Sequence, residues 1–344
     1  MRLRAVVTLL ALAVLGLAAL RASMPHAAPA APDGARDVTT FAAIVERLRA
    51  GEPYYAAYGD ELRRHDYPTR QAFNWRTPLL LTSLATTPPA VAHGVLLALG
   101  VLLCMATLVA LQPLTVALSA GIMQLGAVVT IAVPAAVYLG EAWAGVLIAL
   151  SVCAYVVRRP GAGVALGVLA LFTREIAISY CVVCTLTAVA GRRWREVSAW
   201  AAGAIIYGAY YGWHLTHVIN ARLPDDLAHT SSWLQFGGLR FLMTAAHWHG
   251  WLLALPLPFT ALAVVLVAAG MASVRAPIHV RLTSAAYAAF FLVAGQRFND
   301  YWGLIAWPTW ALAFGYGVQL VADSIAVSIT AKRTPSRAIY NSQA

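Results

Sequence analysis

Long apolar runs recur along this chain of 344 residues, and they constrain its fold more than any other feature. Most are about 16 to 24 residues long, which is the length that a helix needs to cross the hydrocarbon core of a bilayer. The composition agrees, since 60% of the residues are hydrophobic and only 11% are charged. The sequence therefore predicts an all-α, polytopic integral membrane protein, with residues 1–344 forming a single membrane domain.

Two of the apolar runs, residues 161–191 and 282–322, are too long for one crossing. Basic clusters flank both ends of each run, and Lys and Arg in short loops stay on the cytoplasmic side. Each run is therefore predicted to fold as a hairpin of two short helices. Arg174 would lie at the tip of the first hairpin, and the segment GQRFND, residues 295–300, at the tip of the second. About ten transmembrane helices result, with both termini and a tail of residues 323–344 in the cytoplasm.

The first 30 residues combine a basic start, an apolar stretch over residues 5–20 and small residues afterwards. This pattern is typical of a cleaved signal peptide or of a retained first helix. In either case residues 21–78 form the first outer loop. Its apolar spacing predicts an amphipathic helix over residues 37–49 and a second short helix over residues 54–64, both lying on the outer membrane surface.

The chain carries 24 basic and 14 acidic residues. In a membrane protein most of the inward-facing basic excess serves orientation, so it indicates no nucleic-acid partner. Its four cysteines all lie inside apolar segments, where packing explains them better than disulfides do. The expected location is the bacterial cytoplasmic (inner) membrane.

Twelve of the fourteen acidic residues fall on the predicted outer side, and the exceptions are Glu196 and Asp323. Any chemistry therefore belongs on the outer face. The carboxylates that could act as general acid or base share this side; they are Asp37, Asp60, Glu61 and Glu141. Three of them also have a structural interpretation. Asp37 could cap the first surface helix, Glu61 could form a solvated pair with Arg64, and Glu141 could complement a helix dipole.

Arg174 and Glu175 stand side by side within an apolar run. They either pin the hairpin as a buried pair or mark a site in the membrane, and we favour a site because intramembrane charges usually have a function. The planar guanidinium of Arg174 suits a phosphate. The stretches AFNWRTPLL and RFNDYWG place further polar residues at the same face, although interfacial anchoring also explains Arg76. The predicted substrate-binding residues are Arg76, Arg174, Glu175, Arg297, Asn299, Asp300 and Tyr301.

Several histidines gather on the outer side, including His247 and His249, but they show no spacing typical of zinc ligands. No metal-ligand residues are predicted, although Mg²⁺ or Mn²⁺ bridging a phosphate stays possible. Motifs for a nucleophilic serine and for a phosphate-binding loop are absent from the sequence.

The layout resembles the type C (GT-C) membrane glycosyltransferases, in particular short bacterial proteins of that superfamily. The shared features are the outer loop with an early acid and surface helices (DVTTFAAIVERLRAGEPYY, then FNWRTPLL), an acid opening a later helix (GEAWAGVLIAL), a short helix ending in TRE, and a late NDYWG loop. The resemblance implies sugar transfer from a polyprenyl-phosphate donor to a glycan, lipid or protein acceptor. It also implies that Asp37 is the general base and that Arg174 is a phosphate ligand.

The alternative class is non-enzymatic, either a transporter or an envelope assembly factor. A transporter should carry charges along a path that opens to both sides, whereas here the acids are concentrated outside. The sequence also shows no internal repeat of the kind found in many transporters.

Overall fold

The computed structural model describes residues 33–228 and 232–333, together with Gly16. This part of the chain is all-helical and contains no strand. Apart from Gly16, the predicted first helix over residues 5–20 lies outside the described residues, and so do the last eleven residues, 334–344.

The described residues form fourteen α-helices, numbered here in chain order. They are α1 (Asp33–Arg49), α2 (Tyr54–Arg64), α3 (Pro78–Thr86), α4 (Pro89–Ala110), α5 (Leu114–Ile131), α6 (Gly140–Val156), α7 (Pro160–Thr173), α8 (Ile178–Ala190), α9 (Trp194–Ala221), α10 (Gly238–His247), α11 (Gly250–Leu253), α12 (Leu257–Ala272), α13 (Ile278–Val293) and α14 (Gly303–Arg333). Short 3-10 helices cover Ala72–Asn74, Pro134–Tyr138, Glu175–Ala177 and Arg297–Trp302.

Three helical stretches are long and apolar enough to cross a membrane: Pro89–Ala110, Leu114–Ile131 and Arg297–Val327. Five further apolar helices have between 10 and 17 residues. The structure therefore shows membrane-crossing character for some helices. The predicted total of about ten crossings and the orientation of the termini stay predictions.

Both long runs are interrupted where the sequence predicts. Helix α7 ends at Thr173, and Arg174 adopts an extended backbone with φ −155° and ψ 118° before α8 follows. The second run is divided between Val293 at the end of α13 and Gly303 at the start of α14. Helix α14 continues to Arg333, so it extends beyond residue 323, the predicted start of the tail.

The two surface helices also form, with one correction. Helix α2 has the predicted bounds, and the predicted apolar face of α1 is buried at Phe41, Ile44 and Val45. Helix α1 begins at Asp33 instead of residue 37. Asp37 therefore lies within the helix, and the interpretation of Asp37 as the residue that caps it is wrong.

Helix α14 forms the centre of the packed helices and contacts α5, α6, α12 and α13. Two glycines permit its closest approach to α12: a Cβ on Gly270 would lie 1.8 Å from the Ala313 carbonyl oxygen, and one on Gly317 would lie 1.8 Å from that of Leu266. Small residues at such crossings let helix backbones approach each other in membranes. These contacts hold α14 in place among its neighbours. The turn Arg297–Trp302, which directly precedes α14, contacts α1.

Candidate functional site

A cavity of about 220 Å³ lies between α1 and the turn Arg297–Trp302. Distant parts of the sequence form its wall: α1, the segment after α2, the segment before α10, and the turn itself. The lining residues are Arg36, Asp37, Phe41, Leu62, Asp66, Tyr67, Pro68, Phe73, Asn74, Arg76, Trp233, Phe298, Asn299, Tyr301 and Trp302. Seven of these fifteen residues are aromatic and six carry charged or amide side chains, so the cavity combines apolar surface with polar groups as small-molecule sites do.

Asp37 is held between two tyrosines in this cavity. The Tyr67 hydroxyl donates a hydrogen bond to Oδ1 of Asp37, and the Tyr301 hydroxyl donates one to Oδ2. Burial raises the pKa of the Tyr67 phenol, and the neighbouring Asp37 charge raises it further. Tyr67 therefore keeps its proton at neutral pH and stays a hydrogen-bond donor. Each Asp37 oxygen keeps a further acceptor position, so the carboxylate can still take a hydrogen bond or a proton from a bound hydroxyl.

The turn that presents Tyr301 is shaped by its own polar side chains. The Asn299 Oδ1 atom accepts a hydrogen bond from the Gln296 amide at 3.0 Å, and the Asp300 Oδ1 atom accepts one from the Tyr301 amide at 2.8 Å. Asn299 also lines the cavity, whereas Asp300 is not among the lining residues and Arg297 is exposed on the turn. Of these predicted binding residues, Tyr301 and Asn299 are the ones that the structure brings to the cavity.

Beneath the cavity lies a buried charge cluster of two arginines and two glutamates, Arg76, Glu141, Arg174 and Glu175. Arg174 Nε lies 2.6 Å from Glu141 Oε1, and Arg174 Nη1 donates to Glu175 Oε1. Arg76 Nη1 donates to the same Glu175 oxygen at 3.1 Å, and its Nη2 lies 3.8 Å from Glu141 Oε1. Two positive and two negative charges therefore compensate each other at close range, as buried charges require.

The two arginines of the charge cluster differ in access. Arg76 keeps 17% of its side chain exposed and lines the cavity, whereas Arg174 is fully buried and does not. The Arg174 guanidinium carbon lies 5.7 Å from the Phe73 ring centroid and 5.6 Å from that of Trp302, both of which line the cavity. Arg174 therefore lies behind the aromatic wall, and Arg76 is the member of the pair that faces the cavity.

Three of the four predicted carboxylates do not line the cavity: Glu141, which belongs to the charge cluster, and Asp60 and Glu61. Glu61 is buried, and its Oε1 atom accepts hydrogen bonds from Arg64 at 2.8 Å and from Arg47 at 3.3 Å. Asp60 is more exposed and accepts a hydrogen bond from Arg47 at 3.1 Å. Neither is a lining residue. The Glu61–Arg64 pair proposed from the sequence does form, but its carboxylate is buried instead of solvated.

The sequence did not single out Tyr67, although this residue completes the Asp37 site. Tyr67 follows Asp66, whose backbone has a φ of +56°, and precedes Pro68, so it lies on a tight turn after α2. Nothing in its spacing distinguishes it from an interfacial aromatic residue. Only the packing of this turn against α1 places its hydroxyl beside Asp37.

Two of the outer histidines, His214 and His249, contact different parts of the protein. His214 lies 3.0 Å from the Tyr55 hydroxyl and 3.1 Å from the Trp75 carbonyl oxygen, and His249 lies 2.8 Å from the Met123 carbonyl oxygen. Within residues 33–228 and 232–333, no three His, Cys, Asp or Glu side chains are grouped so that they could hold a metal ion. The structure therefore offers no ligand set for the divalent cation that the sequence left open.

Comparison of the chain with protein-family models, with curated proteins and with solved structures gives no match. The resemblance to type C glycosyltransferases therefore stays a prediction from the order of motifs along the sequence.

Proposed function

We propose that the protein is a membrane glycosyltransferase of the type C kind, which moves a sugar from a polyprenyl-phosphate donor to an acceptor on the outer face of the bacterial inner membrane. The observation that supports it most is the position of Asp37, a carboxylate in an aromatic-lined cavity that also contains Arg76. A transfer of this kind needs a base for the acceptor and a cation for the departing phosphate. The cavity offers one of each.

In this proposal Asp37 is the general base. It takes the proton from the acceptor hydroxyl while the acceptor oxygen forms a bond to the anomeric carbon of the sugar. The bond between that carbon and the phosphate oxygen breaks, and its electron pair leaves with the polyprenyl phosphate. Tyr67 and Tyr301 keep the Asp37 carboxylate oriented through one hydrogen bond to each oxygen.

Arg76 is the proposed phosphate ligand, with Arg36 as a second cation at the cavity. Both line the cavity, and the Arg36 guanidinium stacks on the Tyr67 ring with its carbon 4.6 Å from the ring centroid. Arg174 supports Arg76 indirectly because both arginines donate to the same Glu175 oxygen. The role suggested for Arg174 by the resemblance, a direct phosphate contact, thus passes to Arg76 in this proposal.

The aromatic wall would hold the sugar. The Trp233 and Trp302 rings stack with centroids 5.9 Å apart, and Phe73 meets Trp233 edge to face at 5.0 Å. These apolar rings exclude water from the reacting centre, which strengthens the charge interactions there. A sugar ring has apolar C–H faces that suit such a wall.

The test is a transfer assay with the full-length protein in membranes. The probes are polyprenyl phosphate carrying glucose and the same lipid carrying N-acetylglucosamine, and mass spectrometry measures the polyprenyl phosphate that is released. Asp37→Asn should lower the rate by a factor on the order of a hundred or more, the usual contribution of a general base. Arg76→Lys should also be impaired because a point charge cannot replace the planar fork of donors.

Glu46→Gln is the matched control because Glu46 lies on the same helix as Asp37 but is exposed and pairs with Arg49. It should keep full activity. A fully active Asp37→Asn protein would eliminate Asp37 as the base. Wild-type protein that releases no polyprenyl phosphate from either probe would favour a transporter or an assembly factor instead.

A further inference from the structure

Two turns of the chain carry an arginine pair in the same backbone conformation. Arg158 and Arg159 lie between α6 and α7, and Arg192 and Arg193 lie between α8 and α9. The first arginine of each pair adopts the left-handed region, with a φ of +60° at Arg158 and +54° at Arg192. The second donates its backbone amide to the carbonyl oxygen five residues earlier, at 2.8 Å for Arg159 and 2.9 Å for Arg193. Both helices therefore end in a Schellman motif, with arginine at the position that glycine usually takes.

Side-chain contacts hold the two turns at the same end of the helices. Tyr155, which is three residues before Arg158, accepts a hydrogen bond from Nε1 of Trp200 near the start of α9 at 3.0 Å. The Tyr155 ring also stacks on His279 of α13, with ring centroids 4.1 Å apart. His279 Nε2 in turn lies 3.2 Å from the Thr187 hydroxyl, close to the end of α8. The two arginine pairs therefore belong to one surface.

This surface has a large excess of positive charge. A further arginine lies in the first turn of α9, so that the arginine surface consists of Arg158, Arg159, Arg192, Arg193 and Arg195. Arg193 Nε pairs with Glu196 Oε2 at 2.8 Å. The other four arginines are exposed, and no carboxylate in the described part of the chain pairs with them. The arginine surface is therefore complementary to an anionic partner.

Exposed apolar side chains border the arginine surface. Val157 directly precedes the first arginine pair, Val189 lies shortly before the second, and Trp194 follows the second with 62% of its surface exposed. Tryptophan is enriched where lipid head groups meet acyl chains, and arginine can extend its charged end toward the head groups there. A soluble anion would contact only the arginines, whereas a phospholipid would contact the arginines and the apolar side chains.

We propose that the arginine surface binds the phosphate head group of an anionic phospholipid. The planar fork of donors on arginine matches phosphate, and basic pockets between transmembrane helices are a known form of binding site for such head groups. The orientation of the helices in the membrane depends on the number of arginines in these loops. It does not require two turns of matched geometry held together through Tyr155.

The proposed lipid site is distinct from the cavity. Arg159 precedes α7 and Arg174 follows it, so the 14 residues of α7 separate the arginine surface from the buried charge cluster by about 21 Å. The lipid would therefore not contact Asp37 or Arg76. Lipid binding and the proposed sugar transfer can each fail without the other.

Native mass spectrometry of the full-length protein in detergent tests the site. The probes are phosphatidylglycerol and phosphatidylcholine with identical acyl chains. Phosphatidylglycerol should bind on the order of tenfold more tightly, as expected for several arginines near an anionic head group. The deacylated head group of phosphatidylglycerol should not displace the lipid at the same concentration. Equal affinity for the two lipids would overturn the proposal, and so would displacement by the deacylated head group, because the site would then take a soluble anion.

A double variant assigns the preference to the arginine surface. Arg158→Asn with Arg192→Asn removes two charges, and asparagine tolerates the left-handed conformation of both positions. The ratio of phosphatidylglycerol to phosphatidylcholine affinity should fall by about tenfold. An unchanged ratio in the folded double variant would overturn the proposal. If that variant does not fold, the affinities of the wild type for the two lipids decide.

Arg70→Asn with Arg240→Asn is the matched control, because it removes the same number of exposed arginines. Arg70 lies in the first outer loop close to cavity-lining Pro68, and Arg240 lies on α10, which contacts the turn Arg297–Trp302. Both arginines are therefore at the cavity end of the protein. This control should keep the wild-type ratio, and a loss as large as that in the first double variant would show that total charge, instead of the arginine surface, determines lipid binding.

Discussion

Two carboxylate environments lie next to each other in this protein, and they differ in the charge of their donors. Asp37 is held by two neutral phenols, those of Tyr67 and Tyr301. Glu141 and Glu175 are held by two arginines, Arg174 and Arg76. Both arrangements provide hydrogen bonds to carboxylate oxygens, but only the second cancels the carboxylate charge.

This difference indicates different roles for Asp37 and for the two glutamates. A carboxylate whose hydrogen-bond donors are neutral can take a proton without breaking an ion pair. A proton added to Glu141 would leave the fully buried Arg174 with one carboxylate partner fewer, in a place where an uncompensated charge is costly. In the proposed function, Asp37 would therefore transfer the proton, and the charge cluster would stabilise and shape the cavity.

The largest effect should come from removing one charge of the cluster. Arg174→Met leaves Glu141 and Glu175 facing a single arginine, and breaking a buried pair in this way costs about 3–5 kcal/mol. The measurement is thermal or denaturant unfolding of the full-length protein in detergent. A variant as stable as the wild type would mean that the cluster contributes little to the fold.

A double variant tests whether charge balance is the cause. Arg174→Met with Glu141→Gln leaves one positive and one negative group, Arg76 and Glu175, whose atoms lie 3.1 Å apart. The double variant should be more stable than Arg174→Met alone because no net charge stays buried. Additive losses would contradict this account and would point to packing of the Arg174 side chain instead.

A smaller and more local effect is expected on the Asp37 side. Tyr301→Phe removes the hydrogen bond that joins the turn before α14 to α1 and should cost about 1.5–3 kcal/mol, as for a bond to a charged group. Because this bond fixes a surface helix, the loss should appear as faster amide hydrogen exchange in α1 with little change in α14. Tyr316→Phe is the control, because Tyr316 is also a buried tyrosine but does not contact Asp37 or line the cavity. Equal exchange in α1 for Tyr301→Phe and the wild type would show that packing alone holds α1.

The sequence predicted local structure better than it predicted the site. The local pattern of the first outer loop was enough to place α2, and the basic clusters were enough to place the interruption at Arg174. Both signals act over a few neighbouring residues or over the length of one membrane crossing.

The site depends on contacts between distant residues, which local patterns do not report. The sequence did not show that Asp60 and Glu61 lie outside the cavity, because the arginines that engage them lie on both α1 and α2. Tyr67 was missed for the same reason, since its partner Asp37 is 30 residues away. Arg174 was recognised as buried, but its position behind the aromatic wall required the packing of Phe73 and Trp302.

The smallest expected effect extends the comparison to a carboxylate outside the membrane-spanning segments. Asp226 is paired with Arg63, whose Nε atom lies 2.7 Å from Asp226 Oδ1, and it also accepts the Leu223 amide at 3.0 Å. Burial of the carboxyl group opposes its ionisation, but these hydrogen bonds outweigh burial and lower the pKa of Asp226 to about 2.

Because the pKa of Asp226 is lower in the folded protein than in an unfolded chain, its ionised form stabilises the fold. This contribution is fully present above the ordinary aspartate pKa and is lost as the pH falls toward about 2. We expect the melting temperature of the wild type to fall more steeply than that of Asp226→Asn as the pH is lowered from about 4 toward 2. The two curves should differ by a constant amount at neutral pH. If the melting temperatures of the two proteins fell in parallel over the whole acidic range, Arg63 would not hold Asp226 in its ionised form. The distinction between neutral and charged donors would then apply only to the buried charge cluster.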